Sequence, residues 1–228
     1  MSEEADLAQS LNVAWRFFFK RGFIDGFGHI SARASDPNVV LVSRHSLSGD
    51  SSAKDFLTAD LSGKILEGEG RLPGEYALHA EIYKARPDVA SVAHFHCGYA
   101  TSFSMSEVEL KPSYFLASIF SGGIPIHPDP RFINNQTRGE ALAATLGMNR
   151  AALMKAHGVV VAGPDLKEMV AGAFILEDNA KRTWVAAAMG KVHGLEESLM
   201  REIEFEIFSH KGPIKRIWAL AESEYEGK

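Results

Sequence analysis

The apolar residues near the N-terminus follow the spacing of one helix face. Residues 5–21 carry large apolar side chains every three or four positions, and Arg21 and Gly22 close the segment as a helix end does. The apolar positions are Leu7, Leu11, Ala14, Trp15 and Phe18. The pattern predicts an N-terminal helix whose aromatic side chains pack into the core.

Shorter segments rich in β-branched and apolar residues predict strands. "GFGHISAR" (26–33) and "VVLVSR" (39–44) flank the turn sequence "SDPN" and predict a hairpin. "VASVAHF" (89–95) predicts a third strand. "AALMKAHGVVVAG" (151–163) contains two further apolar runs, which meet at His157.

Three more segments predict helices. The first begins after Gly74, has Glu75 in its first turn and must end before Pro87. A short helix ends at Gly147, and a long helix runs over about residues 165–189. Strands flanked by helices predict a layered α/β fold.

The remaining segments have loop composition, and the length bounds the number of domains. Residues 45–56 and 121–130 predict loops, and the tail from about residue 221 is expected to be flexible. The chain has 228 residues, of which 46% are hydrophobic, so it can bury one sizeable core. We expect a single domain over residues 1–228.

The charge pattern excludes several classes of partner. The 24 basic and 29 acidic residues are mixed along the chain, without a basic block that would suit a nucleic acid or an anionic membrane. The first ten residues are acidic and polar, and no segment reaches the roughly 18 apolar residues of a spanning helix. The single cysteine, Cys97, cannot form an internal disulfide. We therefore expect a cytoplasmic protein that binds neither nucleic acid nor membrane.

Two histidines end the third predicted strand. Residues two apart in a strand point to the same face, so His94 and His96 would present their imidazoles side by side. Glu75 at a helix start and His157 beside a glycine are further ligands of suitable hardness. Together they predict a metal site of three histidines and one carboxylate. The alternative, a chance pair on a half-exposed strand, is disfavoured by the apolar run that precedes the pair.

Three other polar residues near this site have simpler explanations. Cys97 would point away from the face of His96, which favours a small buried hydrophobe over a metal ligand. His79 lies one helical turn after Glu75 and could orient it, although a helix-surface histidine is the favoured interpretation. His127 lies in a loop that could close over the site.

Three stretches resemble the signature regions of the class II aldolase/adducin family. They are "GFGHISAR", "LPGEYALHAEIYKARPDVASVAHFH" and "MKAHGVVVAGPDLKEMVAGAFILEDNAK", and the resemblance covers about residues 8–190. It implies a single three-layer α/β/α domain around a mostly antiparallel central sheet. It also implies one divalent metal ion per subunit and a homotetramer with active sites at the subunit interfaces.

The resemblance also implies roles for individual residues. His94, His96 and His157 match the metal-binding histidines of the family, and Glu75 matches a carboxylate that serves as ligand or general acid/base. Tyr114, in "KPSYFLASIF", falls within one residue of a catalytic tyrosine that the sugar-phosphate aldolases supply across the subunit interface. Three histidines and a carboxylate accept zinc, manganese, iron or cobalt.

The chain departs from the sugar-phosphate members of the family where those members bind phosphate. Their Gly-Asn turn is Gly28-His29 in this chain, their Thr/Ser-Gly loop is "SRHSL" (43–47), and their Ser-Ser pair is Pro73-Gly74. Proline has no N–H and glycine has no side chain, so donors to a phosphate dianion are lost. These changes predict a substrate without a phosphate group.

The second altered loop supplies a cation. Arg44 could pair its planar guanidinium with a substrate carboxylate, assisted by His29 or His45; the alternative is a solvated residue at a strand end. This combination resembles the decarboxylase branch of the family, which acts on hydroxylated aromatic or heteroaromatic dicarboxylates, such as 3,4-dihydroxyphthalate, in catabolic pathways. We therefore expect a metal-dependent lyase that decarboxylates a small-molecule carboxylate of this class.

Two other functions stay open. An aldolase, epimerase or dehydratase for a sugar or sugar acid, similar to fuculose-phosphate aldolase, would use the same metal and Glu75. An adducin-like assembly module would have kept the fold without the chemistry, although a scaffold has no need of three converging histidines. An aromatic substrate would need an apolar pocket, for which the candidates are Phe17, Phe27, Tyr114, Phe115 and Phe120.

Overall fold

The computed structural model describes residues 3–226, in which one sheet lies between layers of helices. The strands are β1 (His29–Arg33), β2 (Val39–Ser43), β3 (Phe56–Asp60), β4 (Ile65–Glu67), β5 (Ser91–Phe95), β6 (Ile126–His127), β7 (Ala151–Met154) and β8 (Gly158–Gly163). The α-helices are α1 (Glu3–Lys20), α2 (Tyr76–Ala85), α3 (Gly98–Phe103), α4 (Gln136–Leu146), α5 (Leu166–Met189), α6 (Glu197–Phe208) and α7 (Gly212–Glu226). Two short 3-10 helices cover Ala53–Asp55 and Phe115–Phe120.

The sheet is mostly antiparallel, as the resemblance implies. Its strand order is β4-β3-β2-β1-β5-β8-β7-β6. Only β6 and β7 pair in parallel; the other neighbouring strands are antiparallel. The predicted hairpin is formed by β1 and β2, with Ser31 opposite Val42. The predicted fold class is therefore confirmed.

Side chains alternate between the two faces of the sheet and so build two cores. On β5, Val92 packs in a cluster with residues of α2 and α4, whereas Phe95 packs in a cluster with residues of α1, α3, α5 and α7. This arrangement gives the three layers of an α/β/α fold. Because successive residues of a strand point to opposite faces, His94 faces the same side as Val92, toward α2.

Two segments expected to be loops contain regular structure. The predicted loop 45–56 contains the 3-10 helix Ala53–Asp55, and β3 begins at its last residue. The predicted loop 121–130 contains β6, which is short because it pairs with β7 over two residues only. These two predictions were wrong because a strand of two residues or a single 3-10 turn gives too little periodicity to recognise.

The described part of the C-terminal tail belongs to a helix. Residues 221–226 continue α7, because Trp218 and Ala221 are buried in the core cluster that includes α1 and α5. Residues 227 and 228 of the expected flexible tail lie outside the described residues. Within residues 3–226, no helix is both long enough and apolar enough to cross a membrane.

Candidate metal centre

The candidate centre lies where strand β5 ends and strand β8 begins. His94 is the fourth residue of β5 and pairs across the sheet with His29 of β1, and His96 follows directly after β5. His157 lies in the turn that leads from β7 into β8. The antiparallel register of β1, β5 and β8 therefore brings together histidines that are far apart in the sequence.

Three of these histidines converge on one point. Nε2 of His94 and Nε2 of His96 are 3.1 Å apart. One ligand atom from each of His94, His96 and His157 lies within 4.8 Å of the other two. The structure thus brings the three predicted ligands together, and their role in binding a metal stays a prediction.

Glu75 completes the cluster from the start of helix α2. The sequence places this residue in the first helical turn, whereas the helix begins one residue later and Glu75 is its N-cap. Its side chain is buried, and Oε1 accepts a hydrogen bond of 2.7 Å from the backbone N–H of Ile133. Oε2 lies 3.2 Å from Nε2 of His94 and 3.6 Å from Nε2 of His157. One oxygen is therefore fixed by the backbone while the other faces the histidines.

The donor atoms have the chemistry and the spacing that a metal ion requires. Nδ1 of His94 lies 2.9 Å from the carbonyl oxygen of Val159. A carbonyl only accepts hydrogen bonds, so Nδ1 carries the ring proton and Nε2 is an unprotonated donor atom facing the cluster. Ligands at 2.0–2.1 Å from a tetrahedral zinc lie about 3.3 Å from one another, close to the separations of 3.1 and 3.2 Å around Nε2 of His94. These residues fit a divalent metal.

Burial and mutual contact set protonation states that suit such an ion. Burial, followed by the neighbouring imidazoles of His94 and His157, lowers the pKa of His96 to about 4. Burial also lowers the pKa of His94. Burial alone would raise the pKa of Glu75, but the adjacent imidazoles of His157, His29 and His94 outweigh it and hold the pKa well below its usual range. Neutral imidazoles beside an ionised carboxylate are the forms that bind metals.

A cavity of about 410 Å³ opens onto this cluster. Its lining includes Glu75, His96 and His157, together with the exposed side chains of Phe27 and Phe132. The volume falls within the range of ordinary small-molecule sites. The cluster is therefore reachable by a small substrate.

The three predicted substrate-binding residues, His29, Arg44 and His45, all line the same cavity. Nη2 of Arg44 forms a 2.7 Å ion pair with Asp55, and the Arg44 side chain is 43% exposed. His45 is exposed, and its Nδ1 lies 2.6 Å from the hydroxyl of Ser46. Arg44 is therefore held by an ion pair while its side chain stays partly exposed. Its other guanidinium N–H groups remain available beside the cavity.

A phenyl ring occupies the space of the lost phosphate-binding side chain. A Cβ added to Gly74 would lie 2.6 Å from Cζ of Phe132. A serine at position 74 would therefore collide with this ring unless the ring moved. Pro73, Gly74 and Phe132 all line the cavity, so an apolar surface replaces hydroxyl donors there.

Only Phe27 of the five aromatic candidates lines this cavity. Phe17 and Phe120 are buried in the core, and Phe115 lies in a 3-10 helix that does not border the cavity. The hydroxyl of Tyr114 donates a 2.6 Å hydrogen bond to Asp178, and burial together with this bond raises the pKa of Tyr114 above its usual range. Tyr114 does not border the cavity of its own chain; its role across a subunit interface stays a prediction.

His79 is not on the helix surface, and this favoured interpretation was wrong. The residue is 0% exposed. Its Nε2 lies 2.6 Å from Nδ1 of His29, and its Nδ1 lies 2.7 Å from the hydroxyl of Ser31. The side chain faces β1, and α2 packs in one buried cluster with the sheet and α4, so position 79 has no access to solvent. His79 contacts His29 rather than Glu75.

Two further residues lie apart from the cavity. His127 belongs to β6 rather than to a loop, is buried, and its Nδ1 lies 3.0 Å from the hydroxyl of Thr145. Burial lowers the pKa of His127. Cys97 is buried in the core cluster on the opposite face from His94, as expected for a small hydrophobe.

The chain is similar to known proteins over most of its length. A family model described as "Class II Aldolase and Adducin N-terminal domain" matches residues 9–184. The chain is 25% identical over 214 residues to 3,4-dihydroxyphthalate decarboxylase of Arthrobacter keyseri, covering 87% of this chain and 86% of the relative. It is 25% identical over 190 residues to 3,4-dihydroxyphthalate decarboxylase of Terrabacter sp. (strain DBF63), covering 78% of this chain and 80% of the relative.

A solved structure shares the fold at lower identity. L-fuculose 1-phosphate aldolase from Glaciozyma antarctica PI12 superposes with a TM-score of 0.83, over 98% of this chain and 93% of that chain. The two sequences are 23% identical. At this identity the similarity shows the fold alone.

Proposed function

Because the chain belongs to the class II aldolase and adducin family, we propose that it is a metal-dependent decarboxylase of a hydroxylated aromatic or heteroaromatic dicarboxylate. The family and the named relatives indicate a lyase of the aldolase or decarboxylase type. Both named relatives are decarboxylases of 3,4-dihydroxyphthalate, which supports a ring substrate from aromatic catabolism.

One observation carries the proposal. A single cavity joins the histidine cluster to the cation of Arg44 and to the phenyl rings of Phe27 and Phe132. A planar dicarboxylate has a matching set of groups: polar groups for the cluster, a second carboxylate for the guanidinium and a ring for the apolar sides. A sugar phosphate lacks the ring and would need the hydroxyl donors that Pro73 and Gly74 do not supply.

The metal would be held by Glu75, His94, His96 and His157, and zinc, manganese, iron and cobalt all accept this donor set. When bound, such an ion supplies Lewis acidity, which stabilises negative charge on a substrate oxygen next to the carbon that loses carbon dioxide. The buried Glu75 and His94 make the inner part of this site rigid, because each also bonds to a backbone group.

Arg44 would bind the carboxylate that stays on the ring. Its guanidinium already holds Asp55 through Nη2, so the remaining N–H donors are oriented while still available. His45 and His29 border the same cavity and would add hydrogen bonds to this carboxylate. These hydrogen bonds would hold the substrate so that its reacting carboxylate lies toward the histidine cluster.

Glu75 would move the proton. Glu75 is ionised before substrate binds, and Oε2 would turn from the histidine cluster to the substrate and accept the proton of its hydroxyl group. The bond between the ring carbon and the carboxylate carbon then breaks, carbon dioxide leaves, and the electron pair stays on the ring. Glu75 returns its proton to that carbon, which restores the ionised carboxylate.

The assembly belongs to the same proposal. A homotetramer with sites at its interfaces would bring Tyr114 of one subunit toward the cavity of another. In its own chain the Tyr114 hydroxyl is held by Asp178, on the exposed side of α5 where Arg182 covers the ring. A second subunit could reach this position without opening the core.

The substrate class is tested by a pair of compounds that differ in one carboxylate. 3,4-Dihydroxyphthalate has both carboxylates, whereas 2,3-dihydroxybenzoate keeps a carboxylate beside a hydroxyl and lacks the second one. For Arg44→Ala we expect KM for the dicarboxylate to rise about 10- to 100-fold, because a charge-assisted hydrogen bond is lost. KM for the monocarboxylate should stay within about twofold, since Arg44 has nothing to bind there.

The matched control is Arg201→Ala, which removes another exposed arginine of an arginine–carboxylate pair on α6, away from the cavity. Its kinetic constants should equal those of the unmodified protein. Equal KM values for Arg44→Ala and the unmodified protein would contradict the assigned role of Arg44. Turnover of sugar acids or sugar phosphates alone would favour the aldolase or epimerase alternative instead.

A further inference from the structure

A chain of buried polar side chains leads from the cavity into the space between β1 and α2. Nδ1 of His29 lies 2.6 Å from Nε2 of His79, and Nδ1 of His79 lies 2.7 Å from the hydroxyl of Ser31. The same Ser31 hydroxyl lies 2.8 Å from the hydroxyl of Tyr83. At the cavity end, Nε2 of His29 lies 3.8 Å from Oε2 of Glu75. We call His29, His79, Ser31 and Tyr83 the relay chain.

The hydrogen bond of Tyr83, at the buried end of the relay chain, determines the direction of the other hydrogen bonds. Tyr83 is 1% exposed, and among the described residues the only side chain within hydrogen-bond distance of its hydroxyl is Ser31. The Ser31 hydroxyl is therefore the acceptor of the phenolic proton.

The remaining donors follow in sequence. Since the Ser31 hydroxyl accepts from Tyr83, it donates its own proton to Nδ1 of His79. A neutral His79 then carries its proton on Nε2 and donates it to Nδ1 of His29. The proton of a neutral His29 is therefore on Nε2, which borders the cavity. The opposite direction would leave the buried phenolic proton of Tyr83 without an acceptor, which is unfavourable.

His79 has the environment of a neutral ring. It is fully buried, and its two ring nitrogens contact only His29 and Ser31 among the described hydrogen bonds. No carboxylate bonds to it, and burial lowers the pKa of His79 well below its usual value. An imidazolium would be costly in such surroundings. Each ring of the relay chain thus carries one proton, as the direction of the bonds requires.

We propose that His79, Ser31 and Tyr83 orient His29 and fix its proton on Nε2, so that His29 serves as a hydrogen-bond donor to a substrate oxygen rather than as a metal ligand. His79 is in this sense a positioning residue, because it acts through His29. The donor role toward a substrate carboxylate rests on the proposed function, whereas the fixed proton position does not.

The proton position is measured on the full-length, zinc-loaded protein labelled with ¹⁵N-histidine. Long-range ¹H–¹⁵N spectra distinguish a ring protonated on Nε2 from one protonated on Nδ1, and His29→Asn identifies the signals of His29. We expect His29 and His79 both to be protonated on Nε2. A His29 ring protonated on Nδ1, or one with Nε2 bound to zinc, would overturn the proposal.

Two tyrosines of helix α2 provide a matched pair. Tyr83→Phe removes the group that sets the direction, so we expect the His29 signals to shift toward a mixture of the two protonated forms. Tyr76→Phe removes a similar buried hydroxyl outside the relay chain. That hydroxyl donates a 2.7 Å hydrogen bond to the carbonyl oxygen of Asp60. Its His29 signals should be unchanged. Identical His29 spectra for the two variants would contradict the assigned direction.

The kinetic measurement separates this proposal from the proposed function. For His79→Phe we expect kcat/KM for 3,4-dihydroxyphthalate to fall about 10- to 100-fold, with partial recovery in His79→Gln, which keeps an N–H near the position of Nε2. If the protein releases no carbon dioxide but the ring spectra are as expected, the proposed function fails and the relay chain stands. If activity is present and His79→Phe leaves it unchanged, the positioning role fails.

Discussion

The imidazole of His96 resists protonation well below neutral pH. Burial and the imidazoles of His94 and His157 lower the pKa of His96 to about 4. Metal and proton compete for the same nitrogen, and an ordinary histidine would begin to lose metal near its usual pKa of about 6.5. Competition from a proton at His96 therefore begins about 2.5 pH units lower.

We therefore expect the His96 ring of the metal-free protein to stay neutral from about pH 7.5 to 5.5 and to take up a proton only below about pH 5. The sign follows because burial and the neighbouring imidazoles both oppose the charged form of the ring. Long-range ¹H–¹⁵N spectra of the histidine-labelled protein, recorded over this pH range, measure the protonation of His96. A His96 ring that is half protonated near pH 6.5 would contradict the lowered pKa.

The residues of the site were predictable to different degrees. Spacing in one strand predicts that His94 and His96 share a face, and the structure has both on the α2 side of the sheet. The surface position of His79 was a wrong prediction because nothing in the sequence of α2 shows that position 79 faces β1, where its ring nitrogens meet His29 and Ser31. The sequence also gives no indication that Phe132 lines the cavity, because its position beside Gly74 depends on a long-range contact.

Strand β8 must begin with a glycine for the histidines to meet. A Cβ at Gly158 would lie 2.6 Å from the carbonyl oxygen of Phe95 and 2.6 Å from Cδ2 of His96. The carbonyl belongs to the neighbouring strand, so it cannot move without disturbing the β5–β8 pairing. The glycine thus lets the two strands approach at the point where the ligands converge.

For Gly158→Ala we expect at least a tenfold loss of Zn²⁺ affinity and a lower free energy of unfolding by about 1–3 kcal/mol, because the added methyl group displaces His96 or the strand. Gly98→Ala is the control, since a Cβ at Gly98 meets nothing within 4 Å. Metal titration and urea unfolding measure both effects. Normal metal affinity in Gly158→Ala would contradict the close approach of β8 to β5.

The sequence predicted the helices and strands that are long or have a strong hydrophobic pattern. The hairpin of β1 and β2 and the long helix α5 were predicted, since alternation and a capping aspartate mark them. Strand β4 has three residues and a single partner, so its stability comes from pairing with β3 rather than from its own composition. Local patterns carry too little information to predict such an edge strand.

The C-terminal helices extend the structure beyond the segment that the family model matches. That match ends at residue 184, whereas α7 covers Gly212–Glu226. Trp218 of α7 is 5% exposed and belongs to the same core cluster as residues of α1 and β5. We infer that α7 unfolds together with the sheet that carries the candidate metal centre.

Trp218→Ala should therefore lower the free energy of unfolding of the whole chain by about 3–5 kcal/mol, because it leaves a large cavity in the core. The control is Trp184→Ala, since Trp184 is 55% exposed and its removal should cost less than about 1 kcal/mol. Urea unfolding followed by circular dichroism measures both variants. Two separate transitions in the unmodified protein would contradict a single cooperative unit.

We propose that this protein releases carbon dioxide from a hydroxylated aromatic dicarboxylate at a centre that contains His94. The most direct measurement is carbon dioxide release from 3,4-dihydroxyphthalate by the metal-loaded protein, compared with His94→Ala and with His210→Ala, which changes an exposed histidine outside the cavity. We expect release by the unmodified protein and by His210→Ala, and a loss of about a thousandfold or more after chelation or in folded His94→Ala. Release that persists without metal and without His94 would contradict a metal-dependent decarboxylase.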